Sequence, residues 1–312
     1  MKLIKPSFEI LEQEPNYDGM LRHIEKCGRT CYKSEDKITE DSAEKFVDMI
    51  TKRGHTAMLE HGTVYLRYDF KIKENSNRVA YDLWLKYREN QYSESVQAQP
   101  VSRIPEGYVA ITTNYRVLLQ NNWLDDLQYQ CEPSAYHVKR ITVKFVCDRG
   151  VSHEFVRHRV FSFAQESTRY CNYSKDKFGK ECTFIIPSWL DLEEGSYTYG
   201  GALKGKSNGE YIPVIYSPTE DRAYNTLSSC EGFYLQSLSD SEAQYFKLLD
   251  KGWIAQQARA VLPNSLKTEL IMTGTIEQWE EFFKLRDASD AHPQARELAH
   301  PLHEEFIKRG LL

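Results

Sequence analysis

Three guanidiniums, an imidazole, an amide, a carboxylate and several hydroxyls fall within fourteen residues, from Arg157-His158-Arg159-Val160 through Gln165-Glu166-Ser167-Thr168-Arg169-Tyr170. Guanidinium forks bind phosphate bidentately, and Ser or Thr hydroxyls add short hydrogen bonds to the same oxygens. The segment therefore reads as a pocket for a small phosphorylated anion. A run of charge is more often a solvated face, but two features oppose that reading. Arg157 and Arg159 flank His158 with no acidic neighbour before Glu166, and apolar Val160, Phe161 and Phe163 are interleaved with the polar set. Buried charge is costly unless paired, so a partly buried basic cluster implies an anionic partner.

The elements that must position this segment are legible on either side. Ile141–Cys147 has the β-former pattern of a strand and runs into Asp148-Arg149-Gly150. A short helix is predicted next, with Ser152 as its N-cap and Glu154 in its first turn, where a carboxylate suits the helix dipole. Arg157–Arg159 then falls at the helix C-terminal end, where cations are favoured without any ligand. Further along, Thr275-Ile276-Glu277-Gln278 has capping-box spacing. Trp279, Phe282 and Phe283 form the apolar stripe of the helix that follows, and Arg286, seven residues after Trp279, shares that face. An arginine there is either a snorkelling core residue or a ligand clamp.

Elsewhere, Ala43, Phe46, Val47 and Ile50 mark a helix over 41–53, capped by Asp41 or Ser42 and ended by Gly54. Thr63–Phe70 and Tyr108–Tyr115 are strand candidates, and Ser241–Lys251 and Ile254–Val261 helix candidates, the second stopped by Pro263. The Gly-, Ser- and Tyr-rich stretch 195–211 reads as a loop or hairpin, within a tyrosine-bearing region expected to be irregular and to lie on the surface.

Across 312 residues, 41% hydrophobic and 12% aromatic, there is material for a substantial core. The net charge of −5 disfavours a general nucleic-acid binder, since basic character is confined to one segment. No stretch approaches the ~18 consecutive apolar residues of a membrane span. Seven cysteines form an odd set without a Cys-x-x-Cys pair, and no secretory leader is evident, so reduced thiols and a cytoplasmic location are expected.

Arg-His-Arg, seven residues, Ser167, then Arg169-Tyr170 resembles the signature of the flavin-dependent thymidylate synthases. Gly54-His55-Thr56-Ala57-Met58-Leu59-Glu60-His61 resembles that family's Gly-His…Glu-His segment, and Ala258-Arg259-Ala260-Val261-Leu262-Pro263 its Ala-Arg…Leu-Pro turn. Phe282–Arg286 and Ala291-His292-Pro293-Gln294 are similar to its last helix pair. The likeness covers about the first 70 residues, 141–187 and 245–312; about 71–140 and 188–240 look like insertions into a single domain.

The resemblance implies an α+β fold with a mainly antiparallel sheet and flanking helices. It also implies a homotetramer with shared active sites, and conversion of dUMP to dTMP with methylenetetrahydrofolate as carbon donor and NADPH-reduced FAD as hydride source. By position, it assigns His55, Arg157, His158, Arg159, Val160 and Gln165 to the FAD site. Glu154, Arg157, Gln165, Glu166, Ser167, Thr168, Arg169, Arg259 and Arg286 would contact dUMP. Arg286 would be the catalytic cation at the uracil O2/N3 edge, where it stabilises developing negative charge and makes C5 nucleophilic without a covalent adduct. The sequence departs from the pattern where Thr275 and Glu277 replace an Asn and an Arg that touch FAD, with Glu281 a turn later; Thr275 and Glu281 remain FAD-site candidates. Ala57 lacks a hydroxyl present in some relatives.

No cysteine stands in the context of a thiolate that attacks C6; Cys171 reads as structural, and His61 as a buried, hydrogen-bonded histidine. Ser167 has no adjacent base to activate it. A zinc site of the His-Glu-x-x-His type fails, because His153 and His158 are five residues apart, about 140° around a helix. No Gly-x-Gly-x-x-Gly follows a strand. Two alternatives stay open. One is a non-catalytic nucleotide- or RNA-binding protein that stacks bases on exposed tyrosines. The other is a related flavin-dependent methyl or hydroxymethyl transferase acting on another pyrimidine nucleotide.

Overall fold

The computed structural model describes residues 1–71, 76–98, 106–204 and 211–312. At its centre four antiparallel strands lie in the order Ser7–Leu11, Arg140–Asp148, Lys267–Thr275, Ser162–Gln165. Register runs from Lys267 opposite Asp148 to Thr275 opposite Arg140, and on the other edge from Leu270 opposite Gln165 to Thr273 opposite Ser162. Strand Lys267–Thr275 is buried on both faces and reads as a nearly continuous run of buried side chains.

Alternation divides those side chains between two cores. Leu270 and Met272 pack with Phe145, Phe155, Trp279, Phe282 and Phe306, beneath helices Arg149–Phe155, Ile276–Arg286 and Pro293–Lys308. Ile271 and Ala164 face the other way, onto Cys27 of helix Tyr17–Tyr32 and Leu11.

A second sheet, ordered Thr63–Lys71, Glu106–Asn114, Glu94–Ala98, shares a core with helices Tyr17–Tyr32, Ser42–Lys52 and Ser76–Arg88. The remaining strands form a meander, Thr198–Lys204, Tyr211–Tyr216 and Ala223–Asn225, and a small sheet in which Lys2–Ile4 pairs in parallel with Thr183–Ile185. The α+β, mainly antiparallel expectation holds, with the strands spread over four sheets rather than one.

The Thr275–Gln278 capping box forms in both directions, and Gly54 ends its helix at φ +73°, in the left-handed region glycine tolerates best. Three expectations are corrected. Ser152 is not an N-cap: Asp148 Oδ1 accepts from the Val151 N–H at 2.7 Å, while Ser152 is buried inside the helix. The helix expected at Ser241 begins at Cys230, because the Ser229 hydroxyl caps it through the Gly232 N–H at 2.9 Å. Among its described residues, the region around 188–245 is built of strands and a helix rather than irregular chain, and part of it is buried. Tyr197 and Tyr245 are buried with Leu3, Phe184 and Ile215, and the Tyr197 hydroxyl reaches the Glu193 carbonyl at 3.0 Å, so a phenol can enter that core without losing its polar partner. Among the described residues no helix is long and apolar enough to cross a membrane.

Candidate active site

Where helix Arg149–Phe155 ends, the chain turns back over the C-terminal end of helix Ile276–Arg286. The side chains that meet there form one unit. Arg286 donates from Nη1 to Glu154 Oε2 at 2.7 Å, from Nη2 to the Glu154 carbonyl at 2.8 Å, and from Nε to His158 Nε2 at 3.0 Å. Its side chain is 16% exposed, so the inward placement expected from the Trp279 spacing is observed. Burial, and then the Arg286 charge, lower the His158 pKa to about 4. A neutral imidazole with Nε2 as acceptor is therefore the form that can take the Arg286 Nε–H. Packing against Phe282, with ring centroids 5.1 Å apart, holds the imidazole in place.

Arg157, Arg159 and Arg169 are exposed and lack a carboxylate within ion-pairing distance among the described residues. Local acids do not absorb them, as the sequence indicated. Phe161 and Ala164 enter the core, whereas Val160 is 68% exposed. Following strand Ser162–Gln165, Thr168 accepts from Arg259 Nη1 at 2.9 Å, joining two residues 91 positions apart. Ser167 Oγ accepts the Arg169 N–H at 3.3 Å, and the Ser167 N–H reaches the Cys31 carbonyl at 3.1 Å. Gln165 Nε2 donates to Ser152 Oγ at 2.9 Å and lies 3.3 Å from Thr268 Oγ1.

Other members of the expected set lie apart from this unit. His55 accepts or donates through Nδ1 at 2.6 Å from the Tyr32 hydroxyl, and Tyr32 packs on Tyr170 with centroids 5.3 Å apart. Glu166 is buried and bonded to Lys267 at 2.8 Å, which in turn holds Glu269 at 2.6 Å. Glu281 is exposed and paired with Lys284 at 2.5 Å. Arg159, Val160 and Thr275 line a cavity of about 720 Å³ whose opposite wall includes Thr112, Asn114 and Arg116 of the second sheet and the short helix after it. His61 is buried, with Nδ1 2.7 Å from Thr273 Oγ1, and Cys171 is buried, its thiol pushed up to about 12 chiefly by burial.

Sequence reasoning missed Ser152 and Thr268 behind Gln165, Tyr32 behind His55, and Arg116 and Arg140 in the cavity. Each acts through a partner distant in the chain, and none carries a local motif.

The described residues thus define an α+β protein in which Glu154 and His158 hold Arg286, while Arg157, Arg159 and Arg169 are exposed. The family profile described as thymidylate synthase complementing protein matches residues 71–309, well over half of the sequence, and the chain belongs to that family. The matched range runs through both stretches read as insertions. Among curated relatives, the flavin-dependent thymidylate synthase of Pyrococcus furiosus is 24% identical over 52% of this chain and 52% of its own length. That of Clostridium tetani is 26% identical over 72% of this chain and 81% of its own. The chain spans about half the length of the first of these relatives. A solved structure of the UMP/dUMP methylase PolB from Streptomyces cacaoi, bound to 5-Br dUMP, aligns over 99% of this chain and 93% of its own, at 16% identity and a TM-score of 0.41.

Proposed function

We propose that the protein methylates dUMP to dTMP, taking the carbon from methylenetetrahydrofolate and the reducing equivalents from NADPH through FAD. The observation that supports this most directly is the position of Arg286. It is a charged donor fork at the end of a buried helix face, held in place by one carboxylate and one neutral imidazole. Bound at the uracil O2/N3 edge, that fork would exchange Glu154 for the substrate oxygen, and its charge would stabilise the negative charge that develops as C5 becomes nucleophilic. The C5 proton leaves, the CH2 unit passes from methylenetetrahydrofolate to C5 as its two C–N bonds break and tetrahydrofolate departs, and a hydride completes the methyl group. Arg259, tied to Thr168, would hold the 5′-phosphate with Ser167 and Arg169, while Gln165, oriented by Ser152 and Thr268, would contact nucleotide and flavin.

The residues present fit a flavin dinucleotide. The cavity is within the usual range for small-molecule sites, and it has Arg159 on its lining. Arg157, His158, Arg159 and Val160 would hold the cofactor, with His55 near it. When bound, FAD would accept two electrons from NADPH and deliver a hydride to the pyrimidine. We read the active form as a homo-oligomer, with 71–140 and 188–240 as insertions.

The test is dTMP formation by purified protein supplied with FAD, NADPH, methylenetetrahydrofolate and dUMP. Wild type should form dTMP, and Arg286→Ala should lose most of kcat while remaining folded. Arg286→Lys would separate charge from fork geometry. dUMP binding without flavin reduction or dTMP would refute the proposal and leave a nucleotide-binding protein.

A further inference from the structure

One seven-residue helix, Arg149–Phe155, engages two side chains of the candidate site. Its Glu154 holds Arg286, and its Ser152, wholly buried, meets Gln165. Gln165 ends strand Ser162–Gln165. Ala164 of that strand faces the core around Cys27, whereas Phe163 faces the core beneath the helix, and alternation puts Gln165 on the Phe163 side. A glutamine amide can offer either its NH2 or its oxygen to a ligand, and the two ends have opposite hydrogen-bonding sense. Two hydroxyls decide which end is offered here.

A serine hydroxyl has one proton to donate. Ser152 Oγ donates it to the Arg149 carbonyl at 2.9 Å, so towards Gln165 it can only accept. Gln165 Nε2 supplies that hydrogen at 2.9 Å, and also donates to Thr268 Oγ1 at 3.3 Å, a second buried hydroxyl on the central strand. Both amide hydrogens thus have an acceptor inside the protein. Gln165 Oε1 has no partner among the described residues, and the side chain is half-buried. Turning the amide over would set its oxygen against Ser152 Oγ, whose proton is already committed, and a buried hydrogen bond would be lost. Neighbouring acids do not take over the role. Glu154 is engaged by Arg286 and Glu166 by Lys267, while the Arg157, Arg159 and Arg169 side chains only donate.

We propose that Ser152 and Thr268 are positioning residues that fix Gln165 as a hydrogen-bond acceptor, so that the nucleotide meets it with an N–H or O–H group. This assignment rests on the nucleotide reading above and deepens it. The uracil imide N–H is such a donor, and so is a sugar hydroxyl. Cytosine carries a bare nitrogen at the imide position, which would meet the amide oxygen lone pair to lone pair.

The experiment measures dUMP and dCMP binding to the full chain by calorimetry, with FAD present, in a double-mutant cycle of Ser152→Ala and Gln165→Glu. A carboxylate offers an acceptor whichever way it turns, so Gln165→Glu needs no hydroxyl behind it. Ser152→Ala should weaken dUMP roughly 5-fold in the Gln165 protein and less than about 2-fold in the Gln165→Glu protein. Thr268→Val should show the same dependence on residue 165, and it serves as the readout if Ser152→Ala does not fold. Equal losses in the two backgrounds, or no loss in either, would overturn the inference while dUMP binding keeps the nucleotide reading in place. Given the expected dependence, a dUMP-to-dCMP ratio narrowed by Ser152→Ala assigns the donor to the imide N–H, and an equal loss for both nucleotides assigns it to the sugar. If wild type binds no dUMP, the nucleotide reading falls and this assignment falls with it.

Discussion

Replacing Glu269 with Gln should destabilise the protein by about 3 kcal/mol at neutral pH. Glu269 lies on the central strand, where Lys267 and Lys144 reach it at 2.6 Å and Lys33 also bonds it. Glu166, 2% exposed, bonds the same Lys267 at 2.8 Å. The cluster therefore holds three ammoniums on three carboxylates, since Glu35 also pairs with Lys33 at 3.3 Å. With Gln at 269, Glu166 and Glu35 remain for three cations whose side chains are only 15–21% exposed, and Lys144 loses its carboxylate.

Removing one partner from a buried ion pair costs ~3–5 kcal/mol, and the lower end applies because the ammoniums keep some water. At about 2–4 °C per kcal/mol, Tm should fall by roughly 6–12 °C. Burial alone would raise the Glu269 pKa, but the charges of Lys267, Lys33 and Lys144 outweigh it and hold the carboxyl well below its ordinary range.

A depressed folded pKa contributes stability that is complete above the unfolded value of ~4.3 and is lost as pH falls below it. The gap between wild type and Glu269→Gln, read from urea midpoints, should therefore narrow by about 1 kcal/mol between pH 7 and pH 3.5. The same cluster pins the loop that carries Ser167 and Thr168, since the Glu166 N–H donates to the Glu269 carbonyl at 2.8 Å. A Tm change under about 2 °C, or a gap independent of pH, would refute this reasoning.

Two further outcomes follow from the site. The His158 imidazole should titrate near pH 4 by NMR, since burial and Arg286 both oppose its protonation, and Arg286→Ala should raise the midpoint while leaving it below ~6.5. Its contribution to stability is complete above pH ~6.5 and lost as pH falls from there towards 4; a midpoint of 6 or higher in wild type would contradict the placement. Thr275→Ala should cost about 1 kcal/mol in denaturant unfolding by removing the cap on the Gln278 N–H, and Thr275→Ser should restore most of it. Equal stability of Thr275→Ala and wild type would mean that the cap contributes nothing.

What the sequence by itself determined is local. Hydrogen bonds and apolar spacing within one or two turns decide where the Thr275 cap stands, that Gly54 ends its helix, and that Arg286 shares a face with Trp279. Those features are legible because the interacting residues are three to seven apart. The guanidinium run from Arg157 to Arg169 was legible for a related reason: its one acid, Glu166, comes late in the run, and among the described residues no carboxylate pairs with Arg157, Arg159 or Arg169.

Only the tertiary structure decided what each charge faces. Arg286 meets Glu154 across 132 residues, Arg259 meets Thr168 across 91, and Lys267 meets Glu166 across 101. Arg140 reads in the sequence as one more residue at a strand end. That it meets only neutral acceptors among the described residues is decided once Thr63 and Glu60 are brought against it. Contacts at such separation depend on chain topology and on the cost of burying charge, and neither has a periodicity that a window of sequence could display.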